Sequence, residues 1–516
     1  MEISQAEFIY TIIRLLFCAK IIFILMSKKD FMRFIKFKHH MIITLMVISI
    51  FFKLMLTLPA GATPDFSISQ ANIYFSVNNP VEGESVIITA YIKNKGNEVQ
   101  QDIEIRFFEE TLSSNGLQIG KGGVLAGLRK GEVGKVEAKW RARSGPKTIY
   151  VVVDPDNVIS ESNKKNNQAN KNITGKPLDL LKPTPKQIQK AIKTGIEWLN
   201  SQQGEFVISC PDQHQSPSFM ELCMICRKPI AGGTVKKVDN EKNKGGWLPI
   251  IGPGGTALAL MALLHSGVPE DNPVVKDGID YLLYHAPVPD WNQWDDTYDF
   301  AVAILALTAT GNKEKYHNRV AFATNRILTK QRYKGWGYGA FPDMAHMHYV
   351  LLALYAAQKW EIEIPEDSFK QAAEWITSMQ REDGGWSYAG IEVTSPWAET
   401  SYGSMSMTAL MGLKICGVPP TAKQFQKGLK WLTRHYTITS NPGAYEWHYY
   451  YLLALQRALT IPPSQEKSGK HDWYEEGAAL LLSQQRPDGS WKSGGQEEPI
   501  MSTCFSILFL SKAIPF

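Results

Sequence analysis

Hydrophobic positions follow two different periods along this chain. Between residues 63 and 175 apolar and polar residues alternate, as at Ile103, Ile105 and Phe107, and clusters of Asn, Asp and Gly separate the runs. This alternation predicts β-strands that are buried on one face and joined by tight turns. From residue 186 to residue 516 the apolar residues recur every three to four positions, which predicts helices. The Pro-rich residues 176–185 are expected to link the two parts.

The helical part is predicted to contain six pairs of helices. The first helix of each pair has one apolar stripe, whereas the second is apolar on nearly every side. We predict first helices at residues 188–202, 273–284, 319–329, 368–379, 422–433 and 473–483. Boxes rich in Leu and Ala mark the second helices at residues 260–263, 304–307, 351–354, 410–413, 452–455 and 507–510. The expected fold class is therefore multidomain, all-β plus all-α: an immunoglobulin-like β-sandwich followed by an (α/α)6 toroid whose second helices form the inner ring.

A Gln-to-Trp motif follows several of the first helices. It reads Gln-Arg-Glu-Asp-Gly-Gly-Trp at residues 380–386 and Gln-Arg-Pro-Asp-Gly-Ser-Trp at residues 485–491. A shorter copy occupies residues 331–336, and a split copy combines Gln203 with residues 245–247. Repetition at about fifty residues indicates stacked supersecondary units. The Asp-Gly step suits a tight turn, so the motif is expected to join neighbouring units and to carry little chemistry.

Two family resemblances follow from these residues. With its Gln-to-Trp motifs, the segment 186–516 resembles the squalene-hopene cyclase and prenyltransferase repeat superfamily, which implies the toroid fold. The Asp- and Asn-rich stretch 151–167 resembles the closing signature of bacterial CARDB domains, which implies an adhesion-related spacer or binding module over residues 63–175. In that stretch Asp154, Asp156 and Glu161 are either calcium ligands or ordinary turn residues.

The N-terminal 62 residues are predicted to direct export. They hold eight Lys or Arg and three Asp or Glu, which accounts for the whole formal charge of +5 and leaves nothing that favours a nucleic-acid partner. Residues 32–40 form a basic region, 41–52 an apolar run and 60–62 a small-residue cleavage site, as in a signal peptide. The apolar stretch 8–26 is either a first membrane span or upstream of the true start. We expect an extracytoplasmic protein (periplasmic, cell-surface or secreted) that contacts a membrane only through this segment, if it stays uncleaved.

The enzyme activities of the superfamily are weakly supported by the sequence. The Asp-x-Asp-Asp acid of squalene-hopene cyclases, the zinc ligands of protein prenyltransferases and a Cys-Gly-Glu-Gln thioester are all missing from the sequence. The nearest acidic cluster is Asp295, Asp296 and Asp299, whose Asp-Asp-x-x-Asp spacing suits magnesium and a diphosphate. The alternative is that these carboxylates stabilise a helix N-terminus.

Polar and aromatic residues gather where the second helices begin. We predict that they line the mouth of the toroid as acid, base and stacking groups, or alternatively that they satisfy helix ends and fill the core. Because His346 and His348 are two residues apart on a helix, both cannot point inward. The candidate cavity residues are Asp343, His346, His348, Glu399, Tyr402, Glu446, Trp447, His448 and Tyr449.

An insertion at residues 204–245 carries metal-ligand residue types. Cys210, His214, Cys223 and Cys226 have the composition of a structural zinc site. In an exported protein a disulfide within the same set is the competing interpretation.

The sequence thus predicts an exported binding or envelope-associated protein without squalene-hopene cyclase chemistry. The alternatives are a divergent terpenoid cyclase or prenyltransferase-like enzyme that uses the Asp cluster, and a polysaccharide-degrading toroid that uses the mouth residues. The ligand class stays open among small molecules, lipids, glycans and proteins, and so does the oligomeric state.

Overall fold

The structure is a computed structural model of the 516-residue chain. It describes residues 63–110, 116–204, 207–208, 235–236, 245–247, 253–285, 297–337, 341–388, 400–444, 446–492 and 497–513. The predicted export segment and the Cys-rich insertion, except for the short strands Val207–Ile208 and Val235–Lys236, lie outside these residues. Within them, none of the helices combines the length and hydropathy needed to cross a bilayer.

Nine strands of the described residues form the predicted sandwich. They are β1 (Phe66–Ser67), β2 (Ile73–Phe75), β3 (Ser85–Asn94), β4 (Ile103–Glu109), β5 (Leu117–Gln118), β6 (Gly123–Leu125), β7 (Val133–Arg141), β8 (Gly145–Val153) and β9 (Gln168–Gly175). In one sheet β3 pairs antiparallel with β1, β2 and β7; in the other the order is β5-β4-β8-β9, with β6 also on β4. The sandwich has two more strands than the seven typical of an immunoglobulin-like domain, because short edge segments pair as well.

Alternation along the long strands builds the core between the two sheets. On β4 the side chains of Ile103, Ile105 and Phe107 are fully buried, and on β7 every second residue is buried. The register brings Ile88 opposite Ala138 and Phe107 opposite Val151. The period-two prediction for this domain is therefore confirmed.

The helical part contains twelve helices within the described residues. The outer ones are α1 (Pro185–Ser201), α3 (Pro273–His285), α5 (Lys313–Thr329), α7 (Glu366–Ser378), α9 (Lys423–His435) and α11 (Trp473–Gln484). The inner ones are α2 (Pro253–His265), α4 (Thr297–Ala309), α6 (Met344–Lys359), α8 (Gly403–Ile415), α10 (His448–Thr460) and α12 (Pro499–Leu510). Each predicted apolar box lies on an inner helix, and these helices are buried along nearly their whole length.

The inner helices close into a ring. Each packs against the next inner helix along the chain, and α12 packs against α2. Since an antiparallel outer helix separates consecutive inner helices, all six inner helices run in the same direction and begin on the same side of the ring. We call that side the mouth. The predicted (α/α)6 toroid is confirmed.

The Gln-to-Trp motifs fasten neighbouring pairs of helices. The indole N–H of Trp386 donates to Ile376 O at 2.7 Å, in the preceding outer helix, while Gln380 Nε2 donates to Gln424 O at 2.8 Å, in the next one. The last copy repeats this across the junction of the ring, where Gln485 Nε2 donates to Ala191 O of α1 at 2.9 Å. The motif is therefore a structural joint, as its turn chemistry predicted.

The sandwich packs against the mouth side of the toroid. Its contacts reach the connection between α9 and α10: Thr437 Oγ1 donates to Glu82 Oε1 at 3.0 Å, and Gly83 lies against the side chain of Thr439. Arg143, only 5% exposed, is paired with Glu109 at 2.8 Å and reaches Arg434 O at 3.5 Å. The two domains thus share a buried polar interface.

Candidate functional site

The mouth contains a buried carboxylate–imidazole pair. Asp343 is the N-cap residue of α6 and accepts a hydrogen bond from His346 N at 2.9 Å. Its second oxygen lies 2.8 Å from His346 Nδ1, and both side chains are almost fully buried. The carboxylate therefore caps the helix and lies within ion-pair distance of the imidazole ring.

Tyrosines and a second carboxylate surround this pair. Tyr402 precedes α8 and is 5% exposed; burial, followed by the nearby charge of Asp343, raises its pKa. The ring of Tyr298 meets that of His346 edge-on at 6.2 Å between centroids. Asp299, in the first turn of α4, is 8% exposed and lies beside Gly254. The structure thus groups Asp299, Asp343, His346 and Tyr402 at one sector of the mouth.

The start of α10 forms the neighbouring sector. Trp447 is the N-cap residue and has a left-handed backbone with φ of 61°, and Glu446 O accepts from Asn441 Nδ2 at 3.2 Å. His448 Nε2 lies 2.7 Å from Ile438 O, while Tyr449 OH donates to Gln484 Oε1 at 3.1 Å. Most of these polar groups therefore hold the turn that leads into α10.

A cavity of about 1010 Å³ lies between this sector and the sandwich. Three of the residues chosen from the sequence, Glu446, His448 and Tyr449, line it on the toroid side, together with Asn441 and Gln484. The sandwich contributes the other wall. Its lining residues include Glu82, Glu109, Leu117, Gln118, Ile119, Lys139, Trp140, Arg141 and Arg143. We call this cavity the interdomain cleft.

His348 lies in the centre of the ring and not at the mouth. Its Nδ1 is 2.9 Å from Thr408 Oγ1 and 3.0 Å from Tyr450 OH, and its Nε2 is 2.7 Å from Arg457 Nη1. Because a guanidinium only donates, Nε2 must accept and the proton of the neutral ring is on Nδ1. Burial, followed by the charge of Arg457, lowers the pKa of His348 well below its ordinary value. His346 and His348 thus have different surroundings, as their spacing requires.

Several predicted site residues lie outside the described part of the chain. They are Asp295, Asp296, Glu399, Cys210, His214, Cys223 and Cys226. The Asp-Asp-x-x-Asp and zinc-or-disulfide hypotheses therefore remain predictions. In the part of the chain that the structure describes, no group of three or more His, Cys, Asp or Glu side chains is arranged to hold a metal.

The suggested calcium residues of the sandwich hold turns together. Asp154 accepts from Val158 N at 2.9 Å and Ile159 N at 3.0 Å, and Asp156 is paired with Arg106. Glu161 accepts from Phe66 N at 2.8 Å. These contacts match the turn interpretation of the sequence.

Three residues of the mouth and the ring centre were not predicted from the sequence. Glu497 is 1% exposed and accepts a hydrogen bond from Tyr450 N at 2.7 Å. It therefore caps α10, although it lies 47 residues further along the chain. Asn441 accepts from Ser404 N at 2.9 Å and caps α8. Arg457 had a visible signal, since it is an arginine within an otherwise apolar inner helix, whereas nothing local marked the two caps.

Comparison with known proteins covers both domains. Residues 63–171 match the model of the CARDB family, and residues 285–461 match that of the squalene-hopene cyclase C-terminal domain. None of the curated proteins matches the chain.

The matching solved structures include a CARDB domain, a terpene cyclase and a glucuronyl hydrolase. A CARDB domain from Pyrococcus furiosus, in complex with di-metal ions, is 20% identical and covers 22% of this chain and 89% of its own, with a TM-score of 0.19. The type II terpene cyclase MstE from Scytonema is 13% identical and covers 64% of this chain and 99% of its own, with a TM-score of 0.39. An unsaturated glucuronyl hydrolase specific for heparin is 11% identical and covers 64% and 97%, with a TM-score of 0.44. Residues 63–171 are therefore similar to CARDB domains, and the toroid is similar to the squalene-hopene cyclase C-terminal domain over residues 285–461.

Proposed function

We propose that this is an exported binding protein whose ligand occupies the interdomain cleft, and that it does not perform squalene-hopene cyclase chemistry. The observation that carries the proposal is that Glu446, His448 and Tyr449 line the cleft together with side chains of the CARDB domain. A concave site between two domains is a common location for ligand binding. On this interpretation the CARDB domain is one wall of the site.

The protonation states of the cleft residues favour binding over catalysis. Burial lowers the pKa of His448 to about 4, so the ring is neutral at pH 7 and its Nε2–H donates to Ile438 O. Burial, followed by the charge of Glu497, raises the pKa of Tyr449, which keeps the phenol protonated. An efficient general acid or base has a pKa near the working pH, which neither group has. Both can still form hydrogen bonds with a ligand.

The lining favours a polar, uncharged or weakly charged ligand, and we propose an oligosaccharide. The lining contains amide and hydroxyl groups as well as apolar side chains such as Leu117 and Leu480. Sugars present hydroxyls that donate and accept, and apolar ring faces, so they suit such a lining. Neither sign of charge dominates, since the lining holds Glu82, Glu109, Glu137 and Glu446 as well as Lys121, Lys139, Arg141, Arg143 and Lys492.

Calorimetric titration of the full-length protein with a panel of neutral and acidic oligosaccharides tests the proposal. Substitution Gln484→Ala removes a cleft amide and should weaken binding about tenfold or more. The matched control is Gln426→Ala, an exposed glutamine on α9 whose side chain bonds only Pro420 O among the described residues. Absence of binding to every sugar, or equal affinity in both variants, would overturn the proposal.

The Asp343–His346 pair supports a second candidate, a polysaccharide-degrading enzyme. A buried carboxylate 2.8 Å from an imidazole nitrogen places a possible acid and a possible base side by side. If sugars are cleaved, His346→Gln should abolish product formation and leave the affinity for the sugar unchanged. Product formation that persists in this variant excludes the pair as the acid–base group.

A further inference from the structure

The edge of β7 that points away from β3 lies along the interdomain cleft, and we call it the outer edge of β7. Residues 137–141 line the cleft from both faces of the strand, while an unbroken register pairs the other edge with β3. Ala142 directly follows the strand and donates its N–H to Glu84 O, on the β3 side. Because backbone groups alternate between the two edges of an antiparallel strand, the N–H and C=O groups of Lys139 and Arg141 belong to the outer edge.

Two basic side chains lie at this outer edge. Lys139 and Arg141 are exposed on the same face of β7, so their Cα atoms are about 7 Å apart. Arg141 Nη1 donates to Gly83 O at 3.0 Å, which holds the guanidinium beside the contact of Gly83 with Thr439 of the toroid. After burial, the charge of Arg141 also lowers the pKa of His448 on the toroid wall. The guanidinium therefore lies near both walls of the cleft.

Two carboxylates of the sandwich wall are paired within the protein. Glu109, 3% exposed, lies 2.8 Å from Arg143. Glu137 lies 2.7 Å from Lys135, which is outside the cleft lining. An ion pair reduces the charge that each partner presents to a ligand. The two signs nearly balance in number along the whole cleft, but the outer edge of β7 is consequently a positive region of its wall.

We propose that the oligosaccharide of the cleft is acidic and that the outer edge of β7 binds its carboxylate through Lys139 and Arg141. This inference rests on the proposed function and adds the class of sugar. A guanidinium has five N–H donors and matches a carboxylate, so Arg141 can bind one while Nη1 stays on Gly83 O. Backbone groups at a sheet edge also contribute to anion sites. A uronic acid combines this carboxylate with hydroxyls that suit cleft amides such as Gln484.

Calorimetric titration of the full-length protein with matched pairs of oligosaccharides tests the inference. Each pair consists of a uronic-acid oligosaccharide and its carboxyl-reduced counterpart, in which a neutral hydroxymethyl group replaces each carboxylate. At low salt the acidic member of at least one pair should bind about fivefold more tightly than its neutral counterpart. The preference should shrink as sodium chloride is added, because salt screens interactions between exposed charges. A sulfated form of each neutral member tests whether any anionic group suffices.

A double variant assigns the preference to the outer edge of β7. Lys139→Gln combined with Arg141→Gln should reduce the ratio of acidic to neutral affinity about fivefold. The ratio is the readout because damage to the fold would weaken both members of a pair alike. The matched control is Lys93→Gln combined with Lys95→Gln, which also removes two exposed positive charges two residues apart, outside the cleft lining. The control should keep the wild-type ratio.

The outcomes separate this inference from the proposed function. Equal or weaker binding of the acidic member in every pair, or a preference that survives in the double variant, overturns the inference and leaves the oligosaccharide proposal in place. Tight binding of sulfated sugars without a preference for uronic acids overturns the assignment of a carboxylate. Absence of binding to both members of every pair overturns the oligosaccharide proposal itself.

Discussion

Closure of the ring can be tested at a single glutamine. Gln485 Nε2 donates to Ala191 O at 2.9 Å, to Thr194 Oγ1 at 3.0 Å and to Gly489 O at 2.9 Å. The first two acceptors belong to α1, the first helix of the toroid. In an open stack of helix pairs, the last motif would have no first helix to bond. The substitution Gln485→Ala therefore probes the geometry on which the mouth and the ring centre depend.

The expected magnitude follows from the bonds that are lost. Two N–H groups serve the three acceptors, so Gln485→Ala removes two partly buried hydrogen bonds. At about 1 kcal/mol each, the free energy of unfolding should fall by about 2 kcal/mol. Gln380 makes the equivalent contacts within the ring, to Gln424 O at 2.8 Å and Gly384 O at 2.9 Å, so Gln380→Ala should cost the same.

Urea denaturation of the full-length protein, followed by tryptophan fluorescence, measures these losses. The control is again Gln426→Ala, which should change the free energy of unfolding by less than about 0.5 kcal/mol. If Gln485→Ala costs no more than this control while Gln380→Ala costs about 2 kcal/mol, the ring is not closed in solution.

Two further predictions concern the turns and the pH dependence. Gly384 and Gly417 both have positive φ, 93° and 76°, but only at Gly384 would an added Cβ meet a backbone oxygen, that of Lys427 at 2.7 Å. Gly384→Ala should therefore reduce the free energy of unfolding by at least about 1 kcal/mol more than Gly417→Ala, and equal losses in urea denaturation would contradict the steric argument. Burial lowers the pKa of His448 from 6.5 to about 4, so below pH 6.5 the unfolded chain binds a proton that the folded chain does not. Stability should fall as pH decreases from 6.5 to 4, by up to about 1.4 kcal/mol per unit from this group. His448→Gln should flatten that part of a curve of stability against pH, whereas parallel curves would show that His448 is not buried in its neutral form.

The fold could be predicted from the sequence because its determinants are local and repeated. An inner helix must be apolar on every side, and the six boxes rich in Leu and Ala predicted this property from the sequence. The Gln-to-Trp motif supplies its own turn and its own bonds to the flanking helices, so residues 380–386 alone predict a joint between neighbouring units, and Trp386 forms part of it by donating to Ile376 O. The helix boundaries differ from those predicted mainly at the first turns, as at α5, which begins six residues earlier than expected.

The site was less predictable because its parts meet over long distances. Asp343 and His346 are neighbours on one helix, so their pairing follows from spacing. Glu497, which caps α10, is 47 residues away from Tyr450, and the wall opposite Tyr449 comes from the other domain. His348 was expected at the mouth because it begins an apolar helix, but the length of Arg457 allows its guanidinium to reach back and fix His348 in the ring centre.

The packing of the sandwich against the toroid argues against a simple spacer. A flexible spacer needs no specific contact with the domain that it carries, yet Gly83, with φ of 87°, lies so close to Thr439 that an added Cβ would be 3.0 Å from the threonine Cβ. Glu82 accepts from Thr437 next to it, and Arg143 is buried between Glu109 and the end of α9. Breaking a buried ion pair costs about 3–5 kcal/mol, so the Arg143–Glu109 pair within the sandwich fixes the guanidinium that donates to Arg434 O of the toroid. The hydrogen bonds of Glu82 and Arg143 to the toroid join the two walls of the cleft, as a preorganised ligand site requires.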